Sequence, residues 1–223
     1  SKMIAGEYTA QQAYRAFNAQ LLAEETPADD EIVLTSGKSY SNVFHANGGS
    51  ASFSVMANTL RGVYDTDVLL ATANSFTGSI LRADYNKKMA ASMIMPNGLM
   101  SRQRTMTGAE LKKVVRAFVE GCEGGFVPFN RGSLPVVSGI AVEVKEASGS
   151  YTLTGITRNG QPLRDDDTVT VTCLAAEKQM EALLASESGT PLDGDTWVKN
   201  TWRDHVSGGG AALAEPENYM TLR

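Results

Sequence analysis

The chain has 223 residues, 42% of them hydrophobic and 20% charged, an ordinary globular balance with enough apolar material for a core that needs no disulfide staples. Its net charge of −5, with no basic run, argues against nucleic acid and an anionic membrane surface as partners, but leaves room for a small anion held by one or two arginines. No stretch of about 18 apolar residues occurs, so no membrane span is expected, and Cys122 and Cys173 form neither a CxxC nor a zinc spacing and read as unpaired buried thiols.

The opening residues, SKMIAGEY, lack the apolar centre of a signal peptide, as expected of a mature form or an excised fragment. Residues 8–27 predict a helix: Thr9 and Gln12 have capping-box spacing, Ala10, Ala13, Tyr14, Phe17 and Leu21 make one apolar stripe, and Pro27 ends it. DEIVLT predicts a strand, and GKSYSNVFHANGGSAS a loop. SVMANTLRGVYD predicts a second helix with Phe53, Met56, Leu60 and Val63 on one face. Val68, Leu69 and Leu70 then form a short buried strand that leaves the core through Ala73, Asn74, Ser75, Phe76, Thr77 and Gly78. MIMPNGLMSR reads as a loop. The clearest helix is TMTGAELKKVVRAFVEG, with Thr107 and Glu110 as a capping box, Leu111, Val114, Val115 and Phe118 as the buried stripe, and Gly121 as its stop.

After the loop CEGGFVPFNRGSLP, strands take over. VVSGIAVEV carries Ile140, Val142 and Val144 on one face, Asn159-Gly160 marks a turn between strands, and DDDTVTVTCL is the next strand. AAEKQMEALLA and DTWVKNTWRDHV predict helices, and ENYMTLR a last short strand. The fold class is α+β, a mixed β-sheet packed with helices. The chain divides into a connector or docking helix over residues 1–30 and one domain over 31–223.

A two-metal hydrolytic site needs several converging His, Asp and Asn ligands; this chain has only His45 and His205, in unrelated contexts. RDDDTV lacks EF-hand spacing and reads as an acidic turn. No GxSxG elbow and no P-loop pattern occurs, and SGGGAALAEPE reads as a surface loop. The helix beginning near Thr107 offers backbone N–H groups, but Glu110 in its first turn disfavours an anion there. The remaining chemistry is non-covalent binding at loop ends. The candidates are Asn74, Phe76, Gly78 and Arg82, then Asn97 and Gly98 in MIMPNGLMSR, and Phe129 in GGFVPFNR; each is also readable as an ordinary turn residue.

From about Glu31 to Arg223 the sequence resembles the C-terminal domain of the 5'-nucleotidase family. ASFSVMANTLRGVYDTDVLLATANS is similar to the family's helix, strand and NGGGIR-type loop. MAASMIMPNGLMSRQRTMTGAELKKVVRAFVEG is similar to its LPFG-type turn and the following TGAEL helix. LPVVSGIAVEV, ITRNGQPL and DDDTVTVTCLAAE follow in the family's order, and MTGAELKKVV is the most specific match. The resemblance implies an extracellular, cell-surface or periplasmic hydrolase of two domains. An N-terminal metallophosphoesterase domain carries two divalent metals and performs the hydrolysis. The C-terminal domain grips a nucleotide or nucleoside-like small molecule, and a helix, here residues 9–25, joins the two. On this reading the present chain holds no cofactor and hydrolyses nothing by itself.

The departures matter as much as the match. The family sandwiches the base between two aromatic rings. Here the LPFG-type turn is Met95-Pro96-Asn97-Gly98, with Asn97 in the place of the ring. The later NFLANGGDG-type segment is TCLAAEKQM, with Cys173 in the aromatic position. The NGGGIR-type loop begins at Asn74 but continues SFTGSI, so its ligand-gripping Arg is missing unless Arg82 reaches back. Two lost stacking contacts at roughly 1–3 kcal/mol each would cost about 2–6 kcal/mol of base binding, at about tenfold per 1.4 kcal/mol. Adenosine binding is therefore expected to be weak or absent. Phe76, Phe126 and Phe129 either supply a new ring or pack under their own loops. The alternative function is a non-catalytic ligand-binding or scaffold module that kept the fold and lost the nucleotide.

Overall fold

The computed structural model describes residues 31–95, 99–120, 135–148, 150–175, 190–191, 196–208 and 211–223. The helix predicted over 8–27, the candidates Asn97, Gly98 and Phe129 together with Phe126 and Cys122, and the helix predicted after Ala175 lie outside the described residues.

The chain runs through β1 (Ile32–Ser36), β2 (Phe44–His45), β3 (Gly49–Ser50), α1 (Ala51–Tyr64) and β4 (Val68–Thr72). It continues with β5 (Ala83–Asn86), α2 (Lys87–Ala91), β6 (Met100–Thr107), α3 (Gly108–Glu120), β7 (Pro135–Ser138), β8 (Ala141–Ala147) and β9 (Ser150–Arg158). It closes with β10 (Gln161–Pro162), β11 (Thr168–Ala175), β12 (Thr190–Pro191), β13 (Thr196–Trp197), α4 (Val198–Ser207) and β14 (Met220–Leu222).

The main sheet is mixed, in the order β12-β6-β11-β4-β7, with β13 also on the outer edge of β6. β4 lies inside it, parallel to β11 (Leu70 opposite Cys173) and antiparallel to β7 (Leu69 opposite Ser138). That position explains its composition. A strand enclosed by neighbours and covered by a helix is apolar along its length, and Val68 through Ala71 are all buried. The second sheet, β10-β9-β8-β14, turns at Asn159-Gly160, where φ is +52° and +75°, the paired left-handed residues of a two-residue hairpin. α1 packs on β4 and β7, and α3 packs on both β6 and β9, tying the two sheets together.

The structure refines several sequence expectations. VVSGIAVEV is two strands in two different sheets, separated at Gly139. The first three residues of the stretch read as the clearest helix, TMT, belong instead to β6, and the helix starts at Gly108. Its capping box forms in both directions: Thr107 N donates to Glu110 Oε2 at 2.7 Å, and Glu110 N donates to Thr107 Oγ1 at 3.2 Å. β6 itself, within the stretch read as loop and then helix, spans eight residues and pairs with β11 over its whole length.

α1 differs most from a one-faced helix. Every residue from Ser52 to Leu60 is buried, including Ser54, Asn58 and Thr59. These polar side chains are satisfied by the C-terminal tail, which crosses the helix. Ser54 Oγ donates to Glu217 O at 2.9 Å and accepts from Glu217 N at 2.8 Å, Asn58 Nδ2 donates to Glu215 O at 2.8 Å, and Thr59 Oγ1 accepts from Ala214 N at 2.9 Å. The tail then buries Tyr219 over β3 and adds β14 to the second sheet, parallel to β8. Buried polar groups are tolerated on this helix because each has a partner.

Candidate functional site

β4 ends in a single 3-10 turn, Ala73–Ser75, from which the chain runs alongside residues 92–95. Thr77 N donates to Met93 O at 3.1 Å, Met95 N to Ser75 O at 3.0 Å, and Thr77 Oγ1 to Ser92 O at 2.6 Å. Farther on, Ser52 Oγ holds Gly78 O at 2.8 Å, Ile80 and Tyr40 exchange both backbone bonds, and Arg82 N donates to Ser39 Oγ at 2.9 Å. The loop is thus fixed along its length by bonds to three other parts of the chain.

This stitching brings together segments that are far apart in sequence. The parallel strands β4 and β11 end on the same side of the main sheet, and Met100, the first residue of antiparallel β6, lies opposite Ala175, the last residue of β11. The Asn74 loop, the segment through Met95, the start of β6 and the end of β11 therefore meet at one end of the sheet. A crevice beyond the carboxyl ends of parallel strands is a general place for ligands in α/β sheets.

The predicted site residues divide into two groups there. Asn74 is exposed, and among the described residues its amide has no partner. Arg82 is also exposed, beyond the Ile80–Tyr40 bridge in the chain, and Gly78 is half-buried. Phe76 instead faces inward, buried, its ring centroid 6.1 Å from that of Phe53; in this structure the ring packs under its own loop. Cys173 is likewise a core residue, in the middle of β11 between Leu70 and Arg102. Burial pushes its thiol up to about 12, with the charge of Arg104 offsetting only part of the effect. A thiol so placed is neither a nucleophile at neutral pH nor a surface on which a ligand can rest.

Two further features mark this end. Among the described residues Ser75 Oγ is buried without a hydrogen-bond partner. Trp197, which the sequence reading overlooked, is 48% exposed, and Met95 is 44% exposed. A signal for Trp197 was present: it precedes Trp202 by five residues, about 140° round a helix, so both rings cannot enter one core. Trp202 is the buried one, its indole N–H donating to Ala90 O at 2.8 Å.

Other possible sites carry less. The N-terminal amides of α3 are spoken for, Gly108 N by Asp167 O at 2.7 Å and Ala109 N by Asp165 O at 3.2 Å, so the acidic turn itself closes that helix end. One groove of about 470 Å³ runs between β1 and residues 211–215, and another of about 390 Å³ lies by Asp67. In the second, Arg158 is paired with Asp67, and Arg61 Nε donates to Ser138 Oγ at 2.8 Å. Neither groove is lined by Asn74, Phe76, Gly78, Arg82 or Cys173. Among the described residues no group of three or more His, Cys, Asp and Glu could hold a metal ion, so these residues do not fit a two-metal centre. Nor is any described helix long and apolar enough to cross a membrane.

No protein-family model matches the chain, and no curated protein matches its sequence. Solved structures do match its fold. A 5'-nucleotidase precursor from Thermus thermophilus superposes with a TM-score of 0.70 at 14% identity, over 96% of this chain and 43% of that one. The sulfate thiohydrolase SoxB of Thermus thermophilus gives 0.68 at 14% identity, over 95% and 38%. The NAD nucleotidase of Haemophilus influenzae gives 0.59 at 16% identity, over 94% and 41%. The chain thus spans well under half the length of each. At these identities the match establishes the fold, the mixed α+β arrangement found in part of the 5'-nucleotidases, and no more.

Proposed function

We propose that this chain is the substrate-recognition domain of a 5'-nucleotidase-like metallophosphoesterase acting outside the cytoplasm, at the cell surface, in the periplasm or in the medium. Phosphoester hydrolysis belongs, on this reading, to an N-terminal metal-bearing domain of the same polypeptide, and this chain grips a nucleotide or nucleoside-like molecule. The observation that carries the reading is the convergence of the Asn74 loop, the Met95 segment and the end of β11 at one end of the sheet. The resemblance placed ligand contacts in these same three segments. That the compared structures are more than twice as long as their matching portions leaves room for a hydrolytic partner domain.

The nucleoside site is degenerate. Cys173 is core, Asn97 stands in the place of a ring, and Asn74 and Arg82 remain as exposed polar groups. The fold leaves the ligand open, since a sulfate thiohydrolase shares it. A thermal-shift panel of nucleosides, nucleotides and sugar nucleotides tests the reading, because a ligand at about 100 times its dissociation constant stabilises by about 2.7 kcal/mol. A shift with at least one of these compounds is expected, with adenosine acting only at high concentration. No shift with any of them overturns the recognition role, and saturation by adenosine at low micromolar concentration overturns the degenerate site.

A second reading, a non-catalytic binding or scaffold module, is favoured by the burial of Phe76 and Cys173, which removes two of the expected contacts. A parent gene with no metallophosphoesterase domain ahead of this chain would select it.

A further inference from the structure

We propose that Trp197 is the platform on which a planar, aromatic part of the ligand stacks at this end of the sheet. The inference rests on the reading of that end as the ligand site and identifies the ring that the degenerate segments lack. Trp197 is the last residue of β13, opposite Met100, and the next residue, Val198, donates its N–H to Leu99 O at 3.0 Å. On the other side of residues 96–98, Met95 is anchored by its N–H to Ser75 O. Four residue steps separate Met95 from Leu99, so their Cα atoms are at most about 14 Å apart. Met100 in turn lies opposite Ala175 at the end of β11, so Trp197 and Met95, both substantially exposed, stand at the same end of the sheet as the Asn74 loop.

The mount under Trp197 is rigid although its ring is open. Ser101 Oγ lies 2.9 Å from Thr196 Oγ1, which lies 2.9 Å from Thr201 Oγ1, a chain of hydroxyls locking β13 to β6 and to α4. Trp202, fully buried, anchors the first turns of α4 in the core. Trp202 thus fills the core position, Trp197 keeps about half of its surface open at 48% exposure, and as the residue preceding α4 it makes no side-chain capping bond. A large flat ring held on a fixed backbone loses little freedom on binding, which is the property of an aromatic anchor. It is also sequence-tolerant toward its ligand, because any planar π-system offers a face. Met95 adds a polarisable sulfur suited to a ring edge.

The test uses the full chain labelled with nitrogen-15, titrated with adenosine at millimolar concentration and, as a non-aromatic control, with ribose 5-phosphate. The indole N–H resonance of Trp197 should move saturably with adenosine while that of Trp202, bonded to Ala90, stays in place. Trp197→Ala should weaken adenosine binding, read from the amides of residues 73–78, by roughly tenfold or more; Trp197→Phe should keep most of it, and ribose 5-phosphate binding should be the same in all three proteins. If adenosine moves residues 73–78 but leaves the Trp197 indole unchanged, and Trp197→Ala binds as tightly as wild type, the platform is overturned and the recognition role stands. If adenosine moves no resonance at all, the platform is overturned, and the thermal-shift panel alone decides the recognition role.

Discussion

Gly49→Ala is the most informative single change, because it separates two costs that usually arrive together. Gly49 has φ +81°, and a methyl group there would overlap the Tyr219 ring, lying 2.7 Å from its Oη. The left-handed backbone alone should cost about 1–2 kcal/mol for an alanine. Expelling the ring is the larger part. A Tyr buries about 150–250 Å², worth roughly 4–6 kcal/mol at about 25 cal/mol per Å² if fully exposed. Its Oη also accepts from Ser50 N at 3.1 Å, a bond worth about 1 kcal/mol. Partial re-accommodation of the ring keeps the expected total near 4–7 kcal/mol, against a typical stability of about 5–15 kcal/mol. Gly160→Ala is the control. Its φ is +75°, and nothing lies within 4 Å of an added Cβ, so only the backbone cost of about 1–2 kcal/mol applies. Urea denaturation of both variants, of Tyr219→Ala (about 3–5 kcal/mol) and of Gly49→Ala/Tyr219→Ala completes the cycle. With the ring already gone, the double variant should lose only the backbone cost beyond Tyr219→Ala, well short of the additive sum. A Gly49→Ala protein no less stable than Gly160→Ala, or a fully additive double variant, would refute the wedging of the tail against β3.

Tyr219 also gives the protein a specific alkaline response. Burial pushes its hydroxyl from 10.0 up to about 12, the hydrogen bond from Ser50 opposing this more weakly. The folded value is raised, so its stabilising contribution is complete below pH 10 and is lost as pH rises toward 12, at up to about 1.4 kcal/mol per pH unit. Tyr219→Phe should unfold with a shallower pH dependence over that window; identical slopes would show that the hydroxyl is not shielded. In a Cys122→Ser background, Cys173 should resist maleimide until the protein unfolds, because its thiol is buried with its pKa pushed up to about 12; labelling of the native protein at the rate of a free thiol would contradict its place in the core.

How far the sequence could be read follows from which forces were local. The stripe on α3 and its capping box are set within a few residues, and both are found as expected. The hairpin at Asn159-Gly160 is equally local, since it needs only two residues able to take positive φ. β6 was missed because MSRQRTMT has no apolar alternation; it is a strand because β11 lies on one side and β12 and β13 on the other. The buried polar residues of α1 were illegible for a similar reason. Ser54, Asn58 and Thr59 look solvent-facing until the tail, some 155 residues later, covers them. Nor could sequence show that the Asn74 loop lies against residues 92–95, since the bonds joining them run between loops without periodicity.

The division of the site residues has a physical consequence for what such a site can recognise. Phe76 and Cys173 belong to the core, so altering them changes stability before it changes binding. The groups presented to solvent are an amide at Asn74, a guanidinium at Arg82, and the apolar pair Trp197 and Met95. The two sets sit on different supports: Asn74 on the β4 loop, Trp197 on the β13–α4 junction. A ligand touching both must bridge the end of the sheet, with a flat apolar part at one side and a hydrogen-bonding part at the other. A single ring at the surface holds such a ligand less tightly than a sandwich, because one face of the stacked group stays in water. The same fold with an open, one-sided platform should therefore favour a broad set of planar ligands bound weakly over one nucleoside bound tightly.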